Sequence, residues 1–221
     1  MNTNPLRALA LLALSLCAFA AIAGPPLLCH PFDTAGAPTL AWGGPRWNQP
    51  RADYDLRTLS ANTEALLKAD TPVIARMETL RRAAIYASRD GAIARQMLSR
   101  LDARITRAAT PLSQSLARFD SGYFTETLDE VVRLQGYDMP GIGKADTDGL
   151  RALLATRDGD AQVDAAIKLR PNDAAMRFAA ALIASADQRK TAYATHARIA
   201  RAGAANDRLV ARNLQQIAND Y

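Results

Sequence analysis

Cys29 and His30 are the neighbouring residues whose types most directly permit chemistry. A cysteine activated by a histidine is a nucleophile, and both side chains also bind soft metal ions. Asp33 is near enough in the sequence to orient the histidine. Adjacent residues of an extended chain point to opposite sides, however, which argues against both uses. Three interpretations of Cys29 therefore stay open. The thiol is inert, it forms a disulfide with another chain, or the pair Cys29 and His30 makes this a thiol- or metal-dependent protein.

The segment 144–149 carries two aspartates and a glycine, and so overlaps the pattern of a calcium-binding loop. Lys144 occupies the first ligand position and Ala155 the position of the closing glutamate, which excludes an EF-hand. The overlapping segment 141–144 lacks the first glycine of a phosphate-binding loop, and Ala145 replaces the residue that would bind magnesium. We therefore expect no cofactor and assign no metal ligands.

Enzyme motifs are scarce in this sequence. It contains no Gly-x-Ser-x-Gly and no His-Glu-x-x-His motif. Isolated carboxylates such as Glu64, Glu78 and Glu126 could act in acid/base catalysis, but nothing in the sequence pairs them in space. A non-enzyme is therefore the favoured interpretation, with a hydrolase of unrecognised type as the alternative.

Three charged residues of one predicted helix, Glu78, Arg81 and Arg82, are candidates for an interaction face. Stacked helical hairpins commonly leave a concave surface that receives peptides or helices, and an arginine-lined surface suits an acidic partner. We predict a non-catalytic protein-interaction or scaffold module whose partner is another envelope or secreted protein. A solvated helix surface is the alternative interpretation of the same residues.

The charge distribution argues against a nucleic-acid partner. The chain has 27 Lys and Arg against 22 Asp and Glu, which gives a formal net charge of +5. Basic residues concentrate between positions 76 and 107, but Tyr86 is the only aromatic residue in that stretch. Nucleic-acid-binding proteins more often combine an unbroken basic face with interleaved aromatic residues.

The first 23 residues have the pattern of a secretory signal peptide. Arg7 provides the basic start, an apolar run extends from Leu9 to Phe19, and 21–23 is a small-x-small cleavage site before Gly24. Cleavage would leave Cys29 as the single cysteine, which excludes disulfide scaffolds. No later stretch reaches the roughly 18 apolar residues of a membrane-spanning helix. We expect a periplasmic or secreted bacterial protein without a transmembrane segment after cleavage.

Residues 24–54 differ in composition from the rest of the chain. They hold six of the 11 prolines and both tryptophans, a composition that excludes a regular helix or a central strand. Their apolar residues are too numerous for a solvated linker. We predict an extended arm that packs on the helical body, with a turn at 42–45.

Residues 55–221 are predicted to form one α-helical domain of about seven helices, an irregular stack of antiparallel hairpins. The clearest helix follows Pro72, because apolar residues recur there at helical spacing as far as Ala84. Asp90 is the predicted N-cap of the next helix, and the short connection between the two favours a hairpin. The glycine-rich segment 136–149 is the predicted longest loop of the body.

Two segments resemble known families. The run Ala-Ile-Lys-Leu-Arg-Pro-Asn-Asp-Ala at 166–174 resembles the junction of two tetratricopeptide units, which implies a local helix-turn-helix. Steps of 34 residues from Pro171 do not reach matching positions, so a regular array is not expected. The segments 24–33 and 72–87 are similar to a family of secreted bacterial helical proteins without a characterised activity. That resemblance implies export and a helical body, and transfers no functional residues.

Overall fold

The computed structural model describes residues 25–134 and 141–217. The predicted signal peptide, its cleavage site and residues 135–140 of the chain lie outside these ranges. Within them the chain is entirely helical and contains no strand, so the predicted all-α class is confirmed. In the two ranges taken together, no helix combines the length and hydrophobicity that crossing a bilayer requires.

Nine α-helices and three short 3-10 helices form the described part of the chain. The α-helices are α1 (Leu59–Leu66), α2 (Val73–Ala87), α3 (Gly91–Arg107), α4 (Pro111–Arg133), α5 (Thr147–Leu154), α6 (Gly159–Leu169), α7 (Ala174–Ala186), α8 (Lys190–Gly203) and α9 (Arg208–Asn213). The 3-10 helices are Leu56–Thr58, Ala204–Asn206 and Leu214–Ile217. The predicted number of about seven is too low because short helices such as α1 and α9 offer few turns of periodic sequence.

Aspartate side chains begin several of these helices. The Asp90 carboxylate accepts hydrogen bonds from the first backbone N–H groups of α3, as the sequence predicted. Asp146 accepts from Gly149 N at 3.0 Å and from Gly91 N at 2.9 Å, and so joins the starts of α5 and α3. Asp158 accepts from Ala161 N at the start of α6. Asp146, one of the two aspartates of the calcium-like segment 144–149, is therefore a helix cap.

The longest helix, α4, lies at the centre of the fold and contacts α2, α3, α5, α6 and α7. Its contact with α6 depends on Gly122. A Cβ atom at this position would lie 2.5 Å from Gly159 O and 2.9 Å from Val163 N. The absence of a side chain at Gly122 thus allows the two helix backbones to approach closely.

Residues 25–55, which we call the N-terminal segment, contain no helix and no strand. Leu27, Leu28, Phe32 and Leu40 of this segment are nevertheless at most 5% exposed. The Phe32 ring packs edge-on against Phe178 of α7, with the ring centroids 6.1 Å apart. The N-terminal segment and the helices therefore share one hydrophobic core.

Replacing Gly122 with valine should destabilise the protein, because the new side chain would meet backbone atoms of α6 that cannot move aside. We expect the free energy of unfolding to fall by about 3 kcal/mol, measured by urea denaturation. Ala103→Val on the exposed side of α3 introduces the same residue without a clash, and should cost less than about 1 kcal/mol. Equal losses in the two variants would contradict the close contact of α4 and α6.

Candidate functional site

Glu78, Arg81 and Arg82 form a compact group on α2, which we call the α2 charge cluster. Glu78 and Arg81 are completely buried, and Arg82 is largely buried. The Glu78 carboxylate accepts hydrogen bonds from Arg81 Nη2 and Arg82 Nε at 2.6 Å each, and from Arg81 Nε at 2.8 Å. The predicted exposed interaction face is therefore wrong, since these residues lie inside the protein, beneath the N-terminal segment.

The α2 charge cluster binds the main chain of the N-terminal segment. Arg81 Nη1 donates to the carbonyl oxygens of Leu28 and Trp47 at 3.0 and 3.4 Å. The Glu78 carboxylate accepts from Phe32 N at 3.1 Å. Burial opposes ionisation of Glu78, but the two arginines beside it hold its pKa below the usual value. The cluster therefore satisfies backbone groups that water cannot reach.

Arg82 extends these contacts toward the edge of the segment. Its Nη1 donates to the carbonyl oxygen of Leu40 at 2.6 Å and to Thr39 Oγ1 at 3.0 Å. The guanidinium carbon of Arg82 lies 5.6 Å from the centre of the Trp42 ring, and that of Arg81 lies 5.5 Å from it. These are cation–π contacts, which hold the tryptophan against α2.

Cys29 is half-buried and is the single free cysteine of the described residues. Burial, together with the nearby Glu130 carboxyl, raises the pKa of its thiol to about 11. The thiol is therefore protonated at neutral pH, unlike that of an activated nucleophile. The Asp33 carboxylate accepts a hydrogen bond from Arg212 Nε at 2.8 Å. No group of three metal-binding side chains occurs within residues 25–134 and 141–217.

A cavity of about 690 Å³ lies where the N-terminal segment meets the ends of α4, α7 and α8. We call it the Glu130 cavity, after the carboxyl group in its wall. Its lining is mixed and comes from four separate parts of the chain. The lining residues are Pro25, Pro26, His30, Glu130, Arg133, Leu134, Ala184, Ser185, Ala186, Gln188, Lys190, Tyr193 and Gln216.

Glu130 is only 3% exposed and lies near the end of α4. Both of its carboxylate oxygens face Leu27 N, at 3.0 and 3.3 Å. Burial raises the pKa of Glu130 to about 7, although the backbone N–H donors and Arg133 lower it. Near neutral pH, this carboxyl group therefore exists in both protonation states.

Arg133, the cationic neighbour that lowers the pKa of Glu130, is already paired with other groups. Arg133 lies between two carboxylates, 2.8 Å from Asp129 and 2.5 Å from Asp187. Glu126, one turn before Glu130 on α4, accepts from Asp160 N at 2.9 Å. Burial, reinforced by nearby aspartates, raises the pKa of Glu126 to about 7 as well. The end of α4 thus carries two buried carboxyl groups that titrate near neutral pH.

Sequence reasoning brought Cys29 and His30 to notice but missed Glu130. The available signal was its position on α4, four residues after Glu126 and seven after Tyr123, which places it on the buried side of that helix. That spacing shows burial and gives no information about a cavity. The cavity arises from the way distant segments pack.

No protein family, curated protein or solved structure matches this chain. In the tetratricopeptide-like segment 166–174, α6 ends at Leu169 and α7 begins at Ala174. The function is therefore inferred from the geometry of the α2 charge cluster and the Glu130 cavity.

Arg81→Met should destabilise the protein strongly, because it leaves backbone carbonyls of the N-terminal segment without a donor and removes one partner of Glu78. Breaking a buried ion pair typically costs about 3–5 kcal/mol, and we expect a loss in this range by chemical denaturation. Arg95→Met, on the exposed side of α3, is the matched control and should change the free energy of unfolding by less than about 0.5 kcal/mol. Similar stability of the two variants would refute the structural role of the cluster.

Glu130→Gln should change the pH dependence of stability. The folded chain raises the pKa of this carboxyl from 4.5 to about 7. Its contribution to stability is therefore full below pH 4.5 and is lost as the pH rises through about 7. We expect the variant to match the wild type near pH 5 and to exceed its free energy of unfolding by roughly 3 kcal/mol at pH 8.5.

The control for this prediction is Glu64→Gln, which removes a partly exposed carboxylate that pairs with Arg100 on the surface. This variant should show no gain in stability at high pH relative to the wild type. Thermal melts at both pH values measure the effect. A Glu130→Gln variant that is equally destabilised at pH 5 and pH 8.5 would contradict the assignment.

Proposed function

We propose that this protein is an exported, non-catalytic protein-interaction module of the bacterial cell envelope. In this proposal the Glu130 cavity holds a segment of another envelope or secreted protein. The cavity itself carries the argument, because its volume of about 690 Å³ falls in the range typical of ligand sites. Its mixed apolar and polar lining suits a polypeptide segment, which carries both kinds of group.

The surroundings of the reactive side chains support binding over catalysis. The thiol of Cys29, with its pKa raised to about 11 by burial, lacks the thiolate that nucleophilic or redox chemistry uses. Glu78 is held by two arginines and a backbone N–H group, and it is fully buried. Both residues therefore serve the contact between the N-terminal segment and the helices.

The proposal also assigns a role to the proline-rich residues 24–54. They are an arm that closes one side of the cavity, since Pro25 and Pro26 belong to its lining. Pro25 and Pro26 restrict the backbone here, which lowers the entropy lost when the wall of the cavity forms.

Capture of the partner from the cell envelope tests this proposal. Ala186→Trp places a large ring in the lining of the cavity, whereas Ala103→Trp places the same ring on the exposed side of α3. We expect tagged wild type and Ala103→Trp to recover the same partner protein, and Ala186→Trp to recover it at least about tenfold less, a loss of roughly 1.4 kcal/mol in affinity.

Circular dichroism of each purified variant establishes that both remain folded. Recovery that is unchanged by Ala186→Trp, or the absence of any protein captured above background, would contradict the proposal. The mass of the tagged protein itself, purified from the cell envelope, tests the exported state separately. It should correspond to a chain that begins at Gly24, and a chain that retains residues 1–23 would contradict cleavage.

A further inference from the structure

The buried carboxylates in the described part of this protein fall into two groups, which differ in whether a cationic side chain binds them. Glu78 and Asp120 are each bound by two arginines. Glu126 and Glu130 are also buried, yet within residues 25–134 and 141–217 neither has a cationic partner within 4 Å. Glu126 caps the start of α6, whereas Glu130 lines an open cavity. A buried charge without a partner is costly, so a cation that enters the cavity would offset this cost at Glu130.

Two acceptor groups of the cavity have unused acceptor capacity. Leu27 N lies 3.0 and 3.3 Å from the two oxygens of Glu130, and a backbone hydrogen bond from Leu28 also lowers the pKa of this group, whereas a carboxylate can accept about four hydrogen bonds. Gln216 also lines the cavity, and its Nε2 donates to Pro31 O at 3.3 Å. The Oε1 atom of Gln216 is then buried without a hydrogen-bond partner. The cavity wall therefore contains a carboxylate with unused acceptor capacity and a glutamine whose amide oxygen has no partner.

The electrostatic field around the cavity favours a cation. Among the described residues, carboxyl groups outnumber cationic side chains there, because Glu126, Asp129, Glu130, Asp160 and Asp187 surround Arg133, Arg189 and Lys190. Arg133 is fixed between Asp129 and Asp187, and Arg189 lies between Asp160 and Asp187. Neither arginine is therefore available to neutralise Glu130, and Lys190, which also lines the cavity, is exposed to solvent.

The geometry distinguishes an ammonium from a guanidinium group. A guanidinium binds best as a planar fork that spans both oxygens of a carboxylate. At Glu130 that edge is already occupied, because Leu27 N lies 3.0 and 3.3 Å from the two oxygens. An ammonium group is a compact charge with three donors, and it needs only the remaining lone pairs. Leu134 and Ala186, with the two prolines, supply apolar surface for a hydrocarbon chain.

We propose that the Glu130 cavity binds a primary ammonium group at the end of a short hydrocarbon chain, namely a lysine side chain of the partner protein. Glu130 provides the opposite charge, and Gln216 Oε1 accepts a further hydrogen bond. This assignment rests on the proposed function insofar as the lysine belongs to another polypeptide.

A titration of the full chain without its first 23 residues tests the assignment. The probe is Nα-acetyl-lysine methylamide, added at pH 8 so that most of Glu130 is ionised. The backbone amide signal of Leu27, which donates to Glu130, reports binding in ¹H–¹⁵N spectra. We expect a saturable shift with the lysine probe, none with the norleucine analogue that lacks the ammonium group, and about tenfold weaker binding of the arginine analogue.

Two variants separate binding from folding. Glu130→Gln should weaken the lysine probe at least about tenfold, and Gln216→Leu should weaken it without a change of charge. Glu64→Gln is the control for loss of a carboxylate elsewhere, and should bind as the wild type does. Equal binding of the lysine and norleucine probes, or unchanged binding by Glu130→Gln, would overturn the assignment.

Butylamine carries the same ammonium group and four-carbon chain as a lysine side chain, so it should bind as well, and its failure to bind would overturn the ammonium site. The source of the ammonium group is tested by acetylating the lysines of the captured partner, which should abolish capture; capture that survives acetylation would overturn the partner lysine. The lysine probe could fail to bind while Ala186→Trp still reduces partner capture. This result would reject an ammonium group as the ligand and leave the proposed function intact. Conversely, partner capture could fail while the lysine probe still gives a saturable shift of the Leu27 amide signal. This result would reject the proposed function but retain an ammonium site.

Discussion

Buried backbone groups of the N-terminal segment impose the constraint on which the rest of this structure depends. A chain without helix or strand has no regular internal partners for its N–H and C=O groups, and each group shielded from water needs one. The α2 charge cluster accepts from Phe32 N and donates to the carbonyls of Leu28 and Leu40. Glu130 of α4 accepts from Leu27 N. These side chains fix the path of the segment, and that path forms one wall of the Glu130 cavity.

The same constraint accounts for the unusual amount of charge inside a small helical protein. Hydrogen bonds that involve ionised groups are stronger than neutral ones, so an arginine or glutamate can hold a backbone segment firmly. The cost is desolvation, which the protein offsets in the α2 charge cluster by pairing opposite charges. At Glu130 the neighbouring donors compensate only part of the desolvation cost, and burial therefore raises the pKa of this carboxyl to about 7. The Glu130 carboxyl can therefore both accept a hydrogen bond from Leu27 N and bind a ligand.

The sequence was sufficient to predict the helical class, because α2, α3 and α4 repeat apolar residues at helical spacing and Asp90 caps as expected. It was misleading for Glu78 and Arg81. Apolar spacing assigns charged residues to the solvent side of a helix, and on α2 that side is covered by chain that lies 46 to 53 residues away in sequence. The spacing of apolar residues shows which side of a helix is apolar. It gives no information about a nonhelical segment that packs on the polar side.

The candidate site was still less accessible to sequence reasoning. Its wall combines residues near positions 25–30, 130–134, 184–193 and 216, and only packing brings them together. His30 belongs to this wall, but the sequence drew attention to Cys29 and His30 for a different reason, because their residue types permit a reactive thiol. The protonation state is set by burial and by Glu130, neither of which can be read from neighbouring residues.

Buried charge-assisted hydrogen bonds should make the N-terminal segment and the helical body unfold as one cooperative unit. Native-state hydrogen exchange of the Leu27 and Phe32 amides measures this cooperativity, because each amide donates to a buried carboxylate. We expect both amides to exchange only through global unfolding, with the same free energy as the most protected amides of α4. Exchange of both amides at a much lower free energy, while α4 stays protected, would show instead that the segment detaches independently of the helices.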